Sequence, residues 1–177
     1  AAGTYTATLT FNKQWGSTTS TPVTVTVNDY DDATFSYSQA TYCSNAGDQT
    51  PTVVDAGTFS STAGLSINST TGVINLAAST PGTYTVTNTT SGTCPDTKTA
   101  SVTITAAANA SFNYPSNTIC ISDADQTPTT AATGGTFSST PTGLDIDAST
   151  GVIAVSLSTP GTYAVTYSVT GTCPNSS

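Results

Sequence analysis

The chain has 177 residues, ten acidic and only two basic side chains, no histidine and a net charge of −8. Without clustered Lys or Arg there is no counterion release to drive nucleic-acid binding, and anionic membrane surfaces are disfavoured for the same reason. Without a histidine base or a glycine-rich phosphate loop, no catalytic set can be assembled, so neither an enzyme nor a cofactor is expected.

The tripeptide Gly-Thr-Tyr at Gly3, Gly82 and Gly161 recurs at a spacing of 79 residues, and the flanking segments match as well. This predicts tandem copies of one module: residues 1–32 as the closing hairpin of one copy, 33–108 as a complete copy, and 109–177 as a copy without its last strand. In the first segment Tyr5, Ala7, Leu9 and Phe11 alternate onto one face, with Thr4, Thr6, Thr8 and Thr10 on the other. Val23, Val25 and Val27 form the next strand, interleaved with Thr24 and Thr26. At the handover to the next copy stand Asp29, Tyr30, Asp31 and Asp32. Adjacent carboxylates can ligate a hard cation, which makes Asp29, Asp31 and Asp32 calcium candidates. The matching junction reads Ala106-Ala107-Ala108-Asn109, without a carboxylate, and this favours a plain solvated linker.

Within the complete copy, Leu65 and Ile67 lead into Asn68-Ser69-Thr70-Thr71-Gly72, after which Ile74 and Leu76 resume, the pattern of a hairpin with a glycine-terminated turn. Tyr84 and Val86, then Val102 and Ile104, mark two further strands. The last copy repeats DQTPT at Asp125, GTFSST at Gly135, GLDIDASTGVI at Gly143 and STPGTY at Ser158. The offset between copies drifts from 77 to 79, so two residues are gained between Ala131 and Gly143, where a surface turn is expected. Prolines fall at predicted strand ends, where a missing N–H does least harm. About seven short strands per copy, with no helical period, predict an all-β chain of tandem immunoglobulin-like antiparallel β-sandwiches.

Four cysteines lie at matched places: Cys43 and Cys94 in one copy, Cys120 and Cys173 in the next. Repeat symmetry selects Cys43 with Cys94 and Cys120 with Cys173, each closing a loop worth about 4 kcal/mol in the chain-entropy model. Such bonds persist outside the cytosol, so an extracellular setting is expected. No Cys-x-x-Cys pair or histidine is present to make a zinc site.

The GLSI, TGVI and PGTYTVT elements, in that order, resemble the immunoglobulin-like modules of bacterial surface proteins. The added TYC, DQTP, GTFSST and GTCP elements resemble the version in very long secreted repeat proteins of Bacteroidetes, including gliding-motility adhesins. The resemblance implies a β-sandwich, an extracellular life at the cell surface, and roles from adhesin to stalk. Antibody domains place a Tyr two residues before the second cysteine, whereas Tyr84 precedes Cys94 by ten. The bond is therefore expected to clamp one end of the sandwich rather than to join its sheets. Trp15 occupies the place of Cys94 in the first segment.

Other features carry less. Trp15 and Tyr30 can stack on a sugar, but neither recurs, and core packing is the simpler reading of Trp15. The threonine rows resemble ice-binding arrays and equally any solvated strand. Asn68, Asn88, Asn109 and Asn175 open Asn-x-Ser/Thr sequons, expected by chance in so Ser/Thr-rich a chain. The resulting expectation is a non-catalytic structural or adhesive segment of a bacterial surface filament, its partners being neighbouring copies of the same repeat. One alternative is a module binding a glycan or a surface protein, without membrane insertion. Another is a fibre subunit joined by strand complementation through Pro22 to Val27, although a window of a longer chain is preferred.

Overall fold

The computed structural model describes residues 2–13 and 16–177, with side chains for all of these except 11–13 and 16–18. Trp15 lies outside the described residues. The strands are β1 (Gly3–Ala7), β2 (Thr10–Lys13), β3 (Gly16–Thr19), β4 (Val23–Val27), β5 (Phe35–Ser36), β6 (Thr41–Cys43), β7 (Thr52–Val53) and β8 (Thr58–Ser61). They continue as β9 (Gly82–Thr89), β10 (Thr97–Thr105), β11 (Phe112–Asn113), β12 (Thr129–Thr130), β13 (Thr136–Thr140), β14 (Ala164–Val169) and β15 (Asn175–Ser176). A single 3-10 turn, Val155–Leu157, is the one helical element among the described residues, none of which forms a helix long and apolar enough to cross a membrane.

The chain is an all-β sandwich protein, as its period-two alternation requires. It divides into two compact units, one of Ala1–Ala40, Gln49–Asn75 and Tyr84–Val102, the other of Thr41–Asp48, Leu76–Thr83 and Thr103–Ser177. In the first unit β1 pairs antiparallel with β4, Tyr5 opposite Val25, and β2 with β3. β5 pairs with β7 and β8 with β9, and the two layers meet where Phe35 sets its edge against Phe59, ring centroids 5.3 Å apart. Ala33, Ile74, Val86 and Val102 complete that core at 0–1% exposure. β10 lies beside β9 in the same sheet.

In the second unit β11 pairs with β12 and β13 with β14, again antiparallel. Phe112 meets Phe137 edge-on at 5.5 Å, and Phe137 stacks on Tyr167 at 4.4 Å. Phe137 and Tyr167 form a second buried cluster with Ala110 and Val169, against which the half-buried Phe112 packs. β15 pairs with the end of β14. One pair departs from the antiparallel pattern: β6 runs parallel to the end of β10, with Thr41 opposite Thr103 and Cys43 opposite Thr105.

The glycine-terminated turns form as the sequence predicts. Asn68 Oδ1 accepts from the amides of Thr70 and Thr71, each at 2.9 Å, and Gly72 donates to the carbonyl of Asn68 at 2.8 Å. Asp147 does the same for Ser149 and Thr150 at 2.9 and 2.7 Å, and Gly151 closes the loop at 2.7 Å. Gly72 and Gly151 hold φ of 70° and 73°, the left-handed region that a side chain disfavours. Their carbonyls each receive a tyrosine hydroxyl at 2.5 Å, from Tyr37 and Tyr114 respectively. Burial pushes the Tyr114 phenol up to about 12, so it remains a donor at any physiological pH.

Candidate functional site

The structure corrects the expected disulfides. Cys43 is bonded to Cys173, across a sequence separation of 130, while Cys94 and Cys120 are free thiols. The reason lies in which end of a copy each cysteine is tied to. β6 lays Cys43 beside Thr105, at the exit of residues 33–108. Cys94 instead accepts the amide of Asp31 at 3.0 Å, just before the entry to that same copy. Cys173 behaves as Cys94 does, accepting from the amide of Ala108 at 2.8 Å. A TYC cysteine is thus placed to meet the GTCP cysteine of the copy that follows.

Around the bond, both flanks grip the connecting peptide. Ser44 donates its amide to the carbonyl of Thr105 at 2.9 Å, and its hydroxyl accepts from Ala107 at 3.0 Å. From the other side, Asn175 Nδ2 donates to the carbonyl of Ala108 at 3.0 Å. Asn45 Nδ2 joins the flanks directly, donating to the carbonyl of Pro174 at 2.9 Å. Cys173 is buried, the Cα atoms of the bonded cysteines are 5.4 Å apart, and residues 105–108 run through the resulting clamp. A covalent tie that satisfies the backbone on both sides of a linker fixes its conformation; it offers no nucleophile, base or open ligand position.

The acidic junction residues have structural partners of their own. Asp31 Oδ2 accepts from the amide of Gly92 at 2.8 Å, and a Cβ on Gly92 would collide with that carboxylate. Asp32 Oδ1 accepts from the amide of Thr34 at 2.9 Å, and hydrogen bonding with Thr34 lowers its pKa. The amide of Asp32 donates to Asp55 Oδ2 at 2.8 Å. Hydrogen bonding to the amide of Thr97 leads the lowering of the Asp96 pKa, and Asp96 also accepts from Ala33 at 3.2 Å. Among the described residues no group of three or more His, Cys, Asp or Glu side chains is placed to hold a metal ion. Asp29, Asp31 and Asp32 do not converge into such a group.

Of the remaining candidates, Tyr30 is 71% exposed, and Thr4 and Thr26 lie on exposed strands with their hydroxyls 3.5 Å apart. Asn88 is fully buried, which closes its sequon to modification in the folded chain. In the second unit an open groove of about 430 Å³ is lined by Phe112, Tyr114, Ile153, Val155, Tyr163 and Val165, among others. No residue pattern in the sequence signals this groove.

No family model matches the chain, and no curated protein does. Among solved structures it is similar to the protocadherin gammaB7 EC3-6 cis-dimer structure, with 14% identity, a TM-score of 0.36, and coverage of 99% of this chain and 58% of that one. It is also similar to protocadherin gamma B2 extracellular cadherin domains 3-6, with 14% identity, a TM-score of 0.33, and coverage of 98% and 57%. A third is protocadherin gamma B7 extracellular cadherin domains 1-4, at 13% identity and a TM-score of 0.28, covering 98% and 55%. The chain thus spans somewhat over half the length of each.

Proposed function

We propose that the chain is a non-catalytic structural segment of an extracellular bacterial surface filament or adhesin stalk, built from immunoglobulin-like repeats at 1–32, 33–108 and 109–177. The single observation that carries this reading is the bond from Cys43 to Cys173. Tension applied outside the two cysteines passes through the disulfide and bypasses the residues between them. A repeat that diverts load around its own fold suits a stalk. The disulfide also fits an oxidising, extracytoplasmic setting. The test is immunogold microscopy of intact source cells with antibody against this chain. Label along surface projections is expected, and label confined to the cytoplasm of opened cells overturns the reading.

A second reading, a subunit joined by strand complementation, is favoured by the groove. Its lining residues Phe112, Tyr163 and Val165 are half-buried, whereas their counterparts Phe35, Tyr84 and Val86 are 0–8% exposed. Val23 and Val25 match the buried Val102 and Ile104, yet are 59% and 51% exposed. A strand of β4 type from a second copy would fill the groove. Sedimentation of the chain under reducing conditions tests this: Val25→Asp should abolish a concentration-dependent association, and an association left unchanged by it rules the reading out. Binding to a glycan or surface protein is the third class, and signal on a glycan array or in a pull-down would support it.

A further inference from the structure

We propose that Cys94 and Cys120 are the two halves of a second clamp, closed by a disulfide from Cys120 of one copy of this chain to Cys94 of another. The proposal deepens the filament reading and rests on it. Cys120 is the counterpart of Cys43, and Cys94 that of Cys173, and those counterparts are bonded to each other in this structure. The two free thiols are therefore complementary rather than equivalent.

Each half already makes one backbone hydrogen bond of the closed clamp, although Cys120 lacks the strand pairing that β6 gives Cys43. Asp31 donates to the carbonyl of Cys94 at 3.0 Å, as Ala108 does to that of Cys173 at 2.8 Å. Asp123 donates to the carbonyl of Cys120 at 2.8 Å, as Ala46 does to that of Cys43 at 3.0 Å. Beside the two free thiols stand Ile121, next to Cys120, and Tyr30, next to the Asp31 that hydrogen-bonds Cys94, 54% and 71% exposed, so each half of the open clamp leaves an apolar side chain in solvent. Cys120 is exposed and Cys94 partly so, leaving both within reach of an oxidant.

The chemistry is thiol–disulfide exchange with a small-molecule disulfide such as oxidised glutathione. One protein thiolate displaces half of the small disulfide, releasing one thiol. The second protein thiolate then displaces the other half. Two protein thiols and one small disulfide become one protein disulfide and two small thiols, and the electrons and protons balance.

The test incubates the purified chain with oxidised glutathione and resolves the products in denaturing gels without reductant. The expected result is a ladder in steps of 17.7 kDa, collapsing on reduction, with the Cys94–Cys120 peptide in at least tenfold excess over Cys94–Cys94 and Cys120–Cys120. Cys94→Ser and Cys120→Ser should each fail to form the ladder, and a mixture of the two should give dimers and nothing longer. A chain that stays monomeric overturns the proposal, as does a statistical mixture of like and unlike pairs. Mapping the unmutated protein decides the matter even if a variant misfolds. Cys43–Cys94 and Cys120–Cys173 bonds in that map would sink the clamp and remove the bond that supports the filament reading, whereas Cys43–Cys173 with both other thiols still free after oxidation would sink the clamp alone.

Discussion

The buried amide of Asn88 donates to the carbonyl of Ala33 at 3.0 Å and lies 3.4 Å from that of Asp55. Its counterpart in the next copy is Tyr167, whose hydroxyl donates to the carbonyl of Ala132, the counterpart of Asp55, at 2.8 Å. One backbone acceptor is thus satisfied by an amide in one copy and a phenol in the other. Both side chains press so close to a glycine that a Cβ would collide with them: Gly57 against Asn88, Gly135 against Tyr167. Asn88→Ala should cost about 2 kcal/mol by stripping buried carbonyls of their donor. Gly57→Ala and Gly135→Ala should each cost about 1–3 kcal/mol through overpacking. Urea denaturation of the oxidised chain measures all three.

The turn glycines should be less tolerant still. Gly72 and Gly151 combine positive φ with a Cβ position 2.9 Å from Phe59 and 2.6 Å from Phe137. Alanine at either should cost more than the roughly 1–2 kcal/mol of left-handed backbone alone. Thermal melts of the two variants are expected to lie well below that of the parent.

Much of this was legible in the sequence, for physical reasons that particular residues show. Alternation placed Tyr84, Val86, Val102 and Ile104 inside, because a strand with one buried face has no other way to satisfy its side chains. The Asn68 and Asp147 turns were legible because only a short polar side chain and a glycine close them. The disulfide was not. Repeat symmetry is obeyed equally by bonds within a copy and by bonds from the first cysteine of each copy, Cys43 or Cys120, to the next copy's GTCP cysteine. Pairing four cysteines completely hides the second choice, which leaves Cys94 and Cys120 open. The parallel pairing of β6 with β10 decides it, and a three-residue strand such as β6 gives no periodic signal.

Acid should weaken the fold in a defined window. Hydrogen bonds hold Asp147, Asp32 and Asp96 below their ordinary value of 3.8, led for Asp147 by the amide of Thr150. A depressed carboxylate contributes stability that is complete above its unfolded value and disappears as pH falls through the lower folded one. Denaturation midpoints should therefore hold steady down to about pH 4 and fall below it. Asp147→Asn should make that fall shallower while keeping the turn, because Asn68 makes the same contacts without a charge.

The bond from Cys43 to Cys173 should govern both stability and extension. Closing a loop of this length is worth up to about 5 kcal/mol in the chain-entropy model, so reduction should lower the unfolding free energy by a comparable amount. Under force, the bond should withhold the residues between the two cysteines from extension. At about 3.5 Å per residue, the reduced chain should release about 450 Å more contour length than the oxidised one. Single-molecule stretching with and without reductant reads that difference directly.

The most direct test of the account is the disulfide map of the monomer. Free thiols are alkylated in denaturant, and the unreduced chain is then cut with trypsin at Lys13 and Lys98, its two basic residues. The account predicts that fragments 14–98 and 99–177 stay joined until reductant is added, with the alkyl groups on Cys94 and Cys120. Fragments that separate without reductant and carry no alkyl group would mean that each copy closes on itself, and would contradict it.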